Sequence, residues 1–566
     1  MPRTLSILAC FVAVATTTNC QRTDESRRPI FVDLAQETGL DFVHFNGMTG
    51  EYYYPEMMGG GGAMLDYDGD GDLDLYLIQG SLVAPEDDLD DALFPPRHSP
   101  PFVDRLYRND SVMGRAGLLD LRFVDTTTTA SISPTGYGMG IAVGDTNNDG
   151  SPDLYRTGFG SNQLLRNRRD GTFLDETEGA RADDPRWSVA AVFFDYDRDG
   201  QLDLYVGNYL DFTLGTHKTC RDAAGAQDYC GPTAYDGVTD RLFHNLGNGS
   251  FEDVSAISGI GTKKGKTLGA LAVDLTDDGW LDLYVANDGE PNFLWINQGD
   301  GRFVDEALWR GCAVNAEGLP QASMGVDAGD FDNDGDFDLF MTHLTGEANA
   351  LFRNDGAGSF TEIAGAAGLA LASWPLTSFG THWIDFDNDG WLDILTLGGA
   401  VKKIEVLAQA GDPYPLHQRK QLYRNTGNGR FEEVGAGAGE VFEFSEVGRG
   451  AAFGDLDNDG DVDVLVFNSS GPARLLNNEI GSRKPWTGFR AMPGARLLAL
   501  DVHTVKQAHR FATDGSYASA NDPRVILGGG FATQGARYQR IRGDGKTTVL
   551  QGLAPRHYYL FPDFPE

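Results

Sequence analysis

Seven times along this chain an apolar, β-prone run breaks into a short acidic stretch and then resumes. The first break is Asp66-Tyr67-Asp68-Gly69-Asp70-Gly71-Asp72-Leu73-Asp74, which leads into Leu75, Tyr76, Leu77 and Ile78. Carboxylates at relative positions 1, 3, 5 and 9 with Gly at 6 have the spacing of an oxygen-rich calcium loop. Alternate side chains turn inward, Gly takes the sharp bend, and hard anionic oxygens suit a hard cation. An EF-hand closes a longer loop with a bidentate Glu between helices. Here position 9 is Asp and both flanks read as strands, so the cation is expected in the turn of a β-hairpin.

The other six copies are read the same way. They are Asp145, Asn147, Asp149 and Asp153; Asp195, Asp197, Asp199 and Asp203; Asp274, Thr276, Asp278 and Asp282; Asp330, Asp332, Asp334 and Asp338; Asp385, Asp387, Asp389 and Asp393; and Asp455, Asp457, Asp459 and Asp463. Position 7 (Asp72, Ser151, Gln201, Trp280, Asp336, Trp391, Asp461) varies freely, as expected where only the backbone carbonyl is a ligand. Loops two and four carry a neutral oxygen at position 3, which predicts weaker calcium binding there. Up to seven Ca2+ are expected.

A second pattern interleaves with the loops: Phe31–Asp33, Phe123–Asp125, Phe173–Asp175, Phe251–Asp253, Phe303–Asp305, Phe360–Glu362 and Phe431–Glu433. Most follow an Asn/Gly turn, as Asn245 to Phe251 and Asn425 to Phe431 do, and a short strand such as Leu422-Tyr423-Arg424 precedes the turn. Each unit therefore reads as four short strands, the pattern of a propeller blade. The seventh calcium loop has no Phe strand after it, whereas the Phe31 strand precedes the first loop. The N-terminal strand is thus expected to complete the last blade and close the ring. The fold class is all-β: a seven-bladed β-propeller over residues 30–478 and a small β-rich domain over 479–566. Two insertions, Gly80 to Asp120 and Leu210 to Asp240, read as surface loops.

The formal charge of −38 argues against nucleic acid as a partner. Of the acids, 26 sit at positions 1, 3, 5 and 9 of the loops, so folding and calcium binding are expected to be linked. Residues 479–566 invert the balance, with 12 Lys or Arg against 7 Asp or Glu. Residues 1–20 read as a secretory signal peptide and 21–29 as a polar tether. Simple export with cleavage nearby is the leading expectation, because Thr17-Thr18-Asn19 poorly matches a lipoprotein signal, and lipid attachment at Cys20 is the alternative. No later apolar run is long enough to cross a membrane. In an oxidising compartment Cys220 and Cys230 are expected to form a disulfide, leaving Cys312 a buried thiol.

The chain resembles the FG-GAP or VCBS repeat proteins of the cartilage acidic protein (ASPIC/UnbV) family. The resemblance rests on Pro55 to Ala63, Ser323-Met324-Gly325, Gly448 to Ala452, Asn208 to Phe212 and Tyr229-Cys230-Gly231-Pro232. At the C-terminus it rests on Gly515-Ser516-Tyr517, Asn521 to Val525 and Gly528-Gly529. It implies a calcium-stabilised propeller of the integrin-head kind with an ASPIC/UnbV-like C-terminal domain. Two stretches depart from the family pattern, Gly494-Ala495-Arg496 and the turn Arg542-Gly543-Asp544-Gly545.

The segment before each calcium hairpin should be the innermost strand of its blade. Glu56, Met58, Tyr137, Met139, Trp187, Met324, Phe379, His382 and Arg449 are then expected to converge near one end of the axial channel. They form either a small-molecule pocket or channel packing, with Arg449 paired to Glu56 in the second case. His44 and His343 are ambiguous. No nucleophile elbow or phosphate loop is present. The leading function is an exported calcium-binding scaffold for adhesion or interaction, whose ligand is a protein, glycan or small molecule. The alternative is a lyase- or cyclase-type enzyme whose catalytic candidates are Glu56, His382 and Arg449.

Overall fold

A computed structural model describes residues 28–561 except 114–118, 135, 223, 502–503 and 533–534. The signal-peptide segment and Cys20 lie outside the described residues, as does the tether except for its last two positions.

Each of the seven acidic stretches joins the two inner strands of a four-stranded antiparallel sheet. Blade 1 consists of Gly62–Leu65, Asp74–Leu77, Arg105–Asn109 and Phe123–Asp125. Blade 4 is equally regular, with Thr267–Val273, Asp282–Asn287, Phe293–Asn297 and Phe303–Asp305. Blades 2, 3, 5 and 6 repeat the plan, opening with Tyr137–Gly144, Ser188–Phe194, Val326–Gly329 and Ser378–Ile384. Blade 7 takes three strands, Gly448–Gly454, Asp463–Asn468 and Arg474–Asn478, from the end of the propeller. Its fourth is Phe31–Asp33, with Phe31 opposite Asn478 and Asp33 opposite Leu476. The seven innermost strands touch one another in a closed circle, so neither end of the ring leaves an unpaired edge.

Burial explains the strand sequences. In Leu204-Tyr205-Val206 alternate side chains go to opposite faces. Leu204 and Val206 enter the core between blades 2 and 3, and Tyr205 enters the one between blades 3 and 4. Seven such cores fill the seven inter-blade junctions. The recurrent Phe of each outer strand lies in the junction with the preceding blade: Phe173 in the core of blades 1 and 2, and Phe31 in that of blades 6 and 7. Full burial of one such ring contributes about 1.5–3 kcal/mol, which accounts for a Phe in every outer strand.

The C-terminal domain has two sheets, one of Val525–Leu527, Thr487–Arg490 and Tyr558–Leu560, the other of Thr504–Arg510, Arg496–Asp501, Arg537–Ile541 and Thr547–Gln551. Between Arg510 and Val525 the chain leaves these sheets and enters the propeller axis. Ala520 bridges Ala63 of blade 1, and Ser516 bridges Val326 of blade 5. Gly61 and Gly450 face the inserted segment, and a Cβ on Gly61 would collide with the Ala518 carbonyl.

Candidate functional site

The seven acidic loops share one backbone conformation. Position 6 is a left-handed Gly in every copy, with φ from +88° at Gly200 to +102° at Gly335. Position 4 is left-handed as well, even where it is Asn148, Arg198, Asp277, Asn333, Asn388 or Asn458. The position 1 carboxylate accepts the N–H of position 6, as Asp66 does from Gly71 (3.0 Å) and Asp385 from Gly390 (2.8 Å). Position 5 accepts the N–H of position 7 (Asp278 from Trp280, 2.8 Å), which leaves the position 7 side chain free to vary.

The position 9 carboxylates are buried, Asp203, Asp282, Asp338 and Asp463 completely. In every loop one oxygen accepts the N–H of position 2 and the other the N–H of an Asn ending the third strand. For Asp74 the donors are Tyr67 (3.0 Å) and Asn109 (2.8 Å), and for Asp393 they are Phe386 (3.3 Å) and Asn425 (2.7 Å). These two bonds do not offset desolvation. Burial pushes Asp74 and Asp282 up to about 8 and Asp203 to about 9. Oxygens of Asp66, Asp68 and Asp70 lie within 4.8 Å of one another, as do those of Asp330, Asp332 and Asp338, and of Asp385, Asp387 and Asp389. A cluster of hard, anionic, partly desolvated oxygens fits a divalent cation such as Ca2+. In loop three His244 Nδ1 also joins, 3.1 Å from Asp203 and 3.4 Å from Asp197.

Two sets of residues bind the loops to one another, and the sequence pattern does not display either role. The third-strand Asn donates its amide to the carbonyl of position 2 in the preceding blade: Asn167 to Tyr67 (2.8 Å), Asn354 to Leu275 (3.0 Å), Asn478 to Phe386 (2.8 Å). The position 4 side chain reaches forward to the next loop. Asn148 donates to the Gly200 carbonyl (2.9 Å), Arg198 to Gly279, Asn333 to Gly390 (3.1 Å) and Asn388 to Gly460 (2.9 Å). Asn458 donates to the Asp72 carboxylate (2.9 Å). Loop four has Asp277 at this position, which cannot donate. Arg496 of the C-terminal domain supplies the donor, bonding both Asp277 and the Gly335 carbonyl.

The C-terminal domain sits on this loop face. Ala508 N–H donates to Asp330 (2.8 Å), the Tyr558 hydroxyl to Asp455 (2.6 Å), and Lys484 pairs with Asp387 (3.0 Å). Trp486 packs against Gly460 at a distance that admits no side chain there. Basic domain and acidic loops thus meet directly.

The channel residues divide into two groups. Met58, Tyr137, Met139, Trp187, Met324 and Phe379 form one buried cluster with Tyr54, Tyr209, Tyr229 and the inserted Tyr517. Tyr517 donates its hydroxyl to the Met58 carbonyl (3.1 Å) and packs edge-on to Phe379. The Tyr54–Met58 helix carries Glu56, which is fully buried and accepts from the Tyr229 hydroxyl (3.0 Å). The expected Arg449–Glu56 pair is not formed. The Arg449 guanidinium donates to the carbonyls of Met57, Gly399, Gly448 and Ala400 and lies over Phe379, so it ends the helix and stitches blades 6 and 7.

His382 is not part of that cluster. It precedes loop six by three residues, stacks on Phe453, and places Nδ1 2.7 Å from Asp327. Asp327 also pairs with Arg510 (2.7 Å). Burial alone would raise Asp327, yet the His382 and Arg510 charges hold it down at about 2. His382 and Asp327 line a cavity of about 110 Å3 between the loop face and the C-terminal domain. Glu56 and His382 therefore belong to different ends of the channel, with the inserted segment between them. They do not make an acid–base pair.

Cys220 and Cys230 are disulfide-bonded, and Cys312 is a buried free thiol. His44 and His343 are both buried, the latter bonded to Ser323 (3.1 Å). No helix among the described residues is long and apolar enough to cross a membrane.

The repeated loop–strand unit has a counterpart among known families: a model described as FG-GAP-like repeat matches residues 145–206, 274–341, 330–396 and 404–466. The chain carries FG-GAP repeats. It is similar to cartilage acidic protein 1 of Xenopus tropicalis, 25% identical over 381 residues, covering 64% of this chain and 53% of that protein. The human protein of the same name is 26% identical over 382 residues, covering 64% and 52%. The chain spans about half the length of these curated relatives. Among solved structures, an Agrocybe aegerita lectin described as recognising non-reducing terminal N-acetylglucosamine aligns at 15% identity over 78% of this chain and 98% of its own, with a TM-score of 0.36.

Proposed function

We propose that this FG-GAP repeat propeller is an exported, calcium-dependent interaction scaffold. The observation that carries the reading is the sevenfold repetition of one all-oxygen loop, identical in backbone and in the wiring of its buried position 9 carboxylate. Carboxylates at positions 1, 3, 5 and 9 and the carbonyl of position 7 would hold the ion. Calcium would supply charge neutralisation there, and the Asn amides would pass the rigidity of each loop to its neighbours. Nothing in this arrangement calls for a reacting group, which favours a binding role over the lyase or cyclase alternative. The Cys220–Cys230 disulfide supports folding in an oxidising compartment.

Calcium content by elemental mass spectrometry, paired with melting before and after a chelator, tests the metal reading. Several bound Ca2+ per chain and a large fall in Tm on chelation are expected, with recovery on adding calcium back. A metal-free protein that melts unchanged in chelator contradicts the proposal. The scaffold reading is tested by immobilising the calcium-loaded protein over protein and glycan arrays. Specific ligands should be retained unchanged and released by chelator, whereas product formation would point to an enzyme.

A further inference from the structure

The buried carboxylate of Glu56 is only partly satisfied by its surroundings. It is 0% exposed, its Oε2 accepts the Tyr229 hydroxyl, and the Tyr53 backbone N–H acts on the same carboxylate. Its Oε1 is buried with no hydrogen-bond partner, and among the described residues no Lys, Arg or His stands at ion-pair distance. Buried Arg449 directs its donors at carbonyls instead. An unpaired acid in such a place costs several kcal/mol unless it is neutralised. Burial accordingly pushes Glu56 up to about 8, and Asp87 and Glu51 push in the same direction.

The surroundings are those that favour a cation. Tyr52 and Tyr53 are partly exposed and lead inward along the chain to buried Tyr54 and Glu56, so the stretch runs from solvent to the carboxylate. Tyr52 packs edge-on to Tyr229 with ring centres 5.1 Å apart. Burial raises the Tyr53 hydroxyl, and Asp87, Glu51 and Glu86 push in the same direction, so acidic side chains stand around this stretch. An ammonium already sits against Tyr52. Lys403 Nζ lies 4.6 Å from the Tyr52 ring centre and donates to the Tyr52 hydroxyl and the Gln227 carbonyl, both at 2.7 Å.

We propose that this end of the channel binds a small organic cation, a protonated or quaternary amine, whose charge is met by Glu56 and whose apolar shell is met by Tyr52 and Tyr229. Electron-rich rings beside a desolvated carboxylate favour such a cation over a neutral molecule of the same shape. The site adds a ligand class to the scaffold reading and rests on it only for a folded, calcium-loaded ring.

The test titrates the full, calcium-loaded protein with choline and, separately, with its uncharged isostere 3,3-dimethylbutan-1-ol, by calorimetry. Choline should bind saturably and at least about tenfold more tightly than the isostere. Glu56→Gln should erase that preference while melting no lower than wild type, because it removes a buried ionisable group and keeps the shape and the acceptor for Tyr229. Equal affinity for the two probes, no saturable choline binding up to tens of millimolar, or full choline affinity in Glu56→Gln overturns the proposal. Each of those results leaves the chelator dependence of the melt intact, so failure here is distinct from failure of the calcium reading.

Discussion

At the scale of single residues, the third-strand Asn and the buried histidines contribute most that a composition count hides. Asn354 shows why an Asn ends all seven third strands. Its amide donates to the carbonyls of Leu275 and Phe337, and its side-chain oxygen accepts the N–H groups of Gly356 and Gly358. Asn354→Ala leaves these buried groups unpaired, at about 1–3 kcal/mol for each one stranded. Its Tm is expected several degrees below wild type, whereas Asn428→Ala, on an exposed turn, should melt within a degree or so of wild type. His343 gives a pH dependence with a definite sign. Burial lowers it from 6.5 to about 3, as it lowers His44 and His509 to about 4. Between those values the unfolded chain binds the proton and the folded chain does not, so stability rises with pH. The contribution is fully present above about 6.5 and is lost as pH falls toward 3. At two pH units below 6.5 one such His costs about 2.7 kcal/mol. His343→Gln, which keeps a partner for Ser323, should therefore lose less Tm than wild type between pH 7 and pH 4.5. Parallel pH–melting curves would show that His343 is not a source of acid lability.

At the scale of elements, the loops form a belt with one gap. The forward bond from position 4 runs from loops two, three, five, six and seven, and Arg496 bridges loop four to loop five. Loop one has Gly69 there and nothing to donate. Its φ of +78° is a conformation Asn tolerates, and no atom lies within 4 Å of where its Cβ would stand. Gly69→Asn is expected to donate to the Gly150 carbonyl of loop two, as its counterparts do. The new bond and the stiffer unfolded chain should add about 1 kcal/mol. Gly69→Ala takes the same left-handed strain without a donor and should fall below wild type. A Gly69→Asn melt at or below that of Gly69→Ala would remove the belt as a source of stability. This element shows where legibility stops. The loops were readable because their carboxylates are spaced within nine residues, and the Phe strands because burial repeats in each blade. The belt was not, because most of its acceptors are carbonyls of the next blade, and a carbonyl leaves no mark on the sequence. The same blindness explains Arg449. A buried Arg and a buried Glu on facing segments suggest a pair, yet four backbone oxygens satisfied the cation first.

At the scale of the whole molecule, the C-terminal domain is part of the propeller's construction. Arg510 pairs with Asp327, Thr513 donates to the Val143 carbonyl, Asp514 accepts the Ala272 N–H, Tyr517 reaches Met58, and Asp522 bonds Phe453. One segment thereby touches blades 1, 2, 4, 5 and 7 from inside, and does for the axis what the Phe31 strand does for the circumference. The sequence marked Gly515-Ser516-Tyr517 and Asn521-Asp522 as the heart of a separate domain. It could not show that they leave that domain, because the contacts join positions hundreds of residues apart. Their fit depends on backbone approaching backbone: Ala518 lies where any side chain on Gly61 would have to go, and Ser519 where one on Gly450 would. Gly61→Ala should therefore expel the inserted segment while leaving the seven inter-blade cores and the acidic loops chemically unchanged. Amide exchange at 512–522 should accelerate strongly, followed by exchange near Met58, with protection of the outer Phe strands retained until the global melt. Simultaneous loss of protection in all blades would mean instead that the ring cannot stand without its core segment. Unaltered exchange at 512–522 would mean that the close approach of Gly61 and Ala518 does not seat the segment at all.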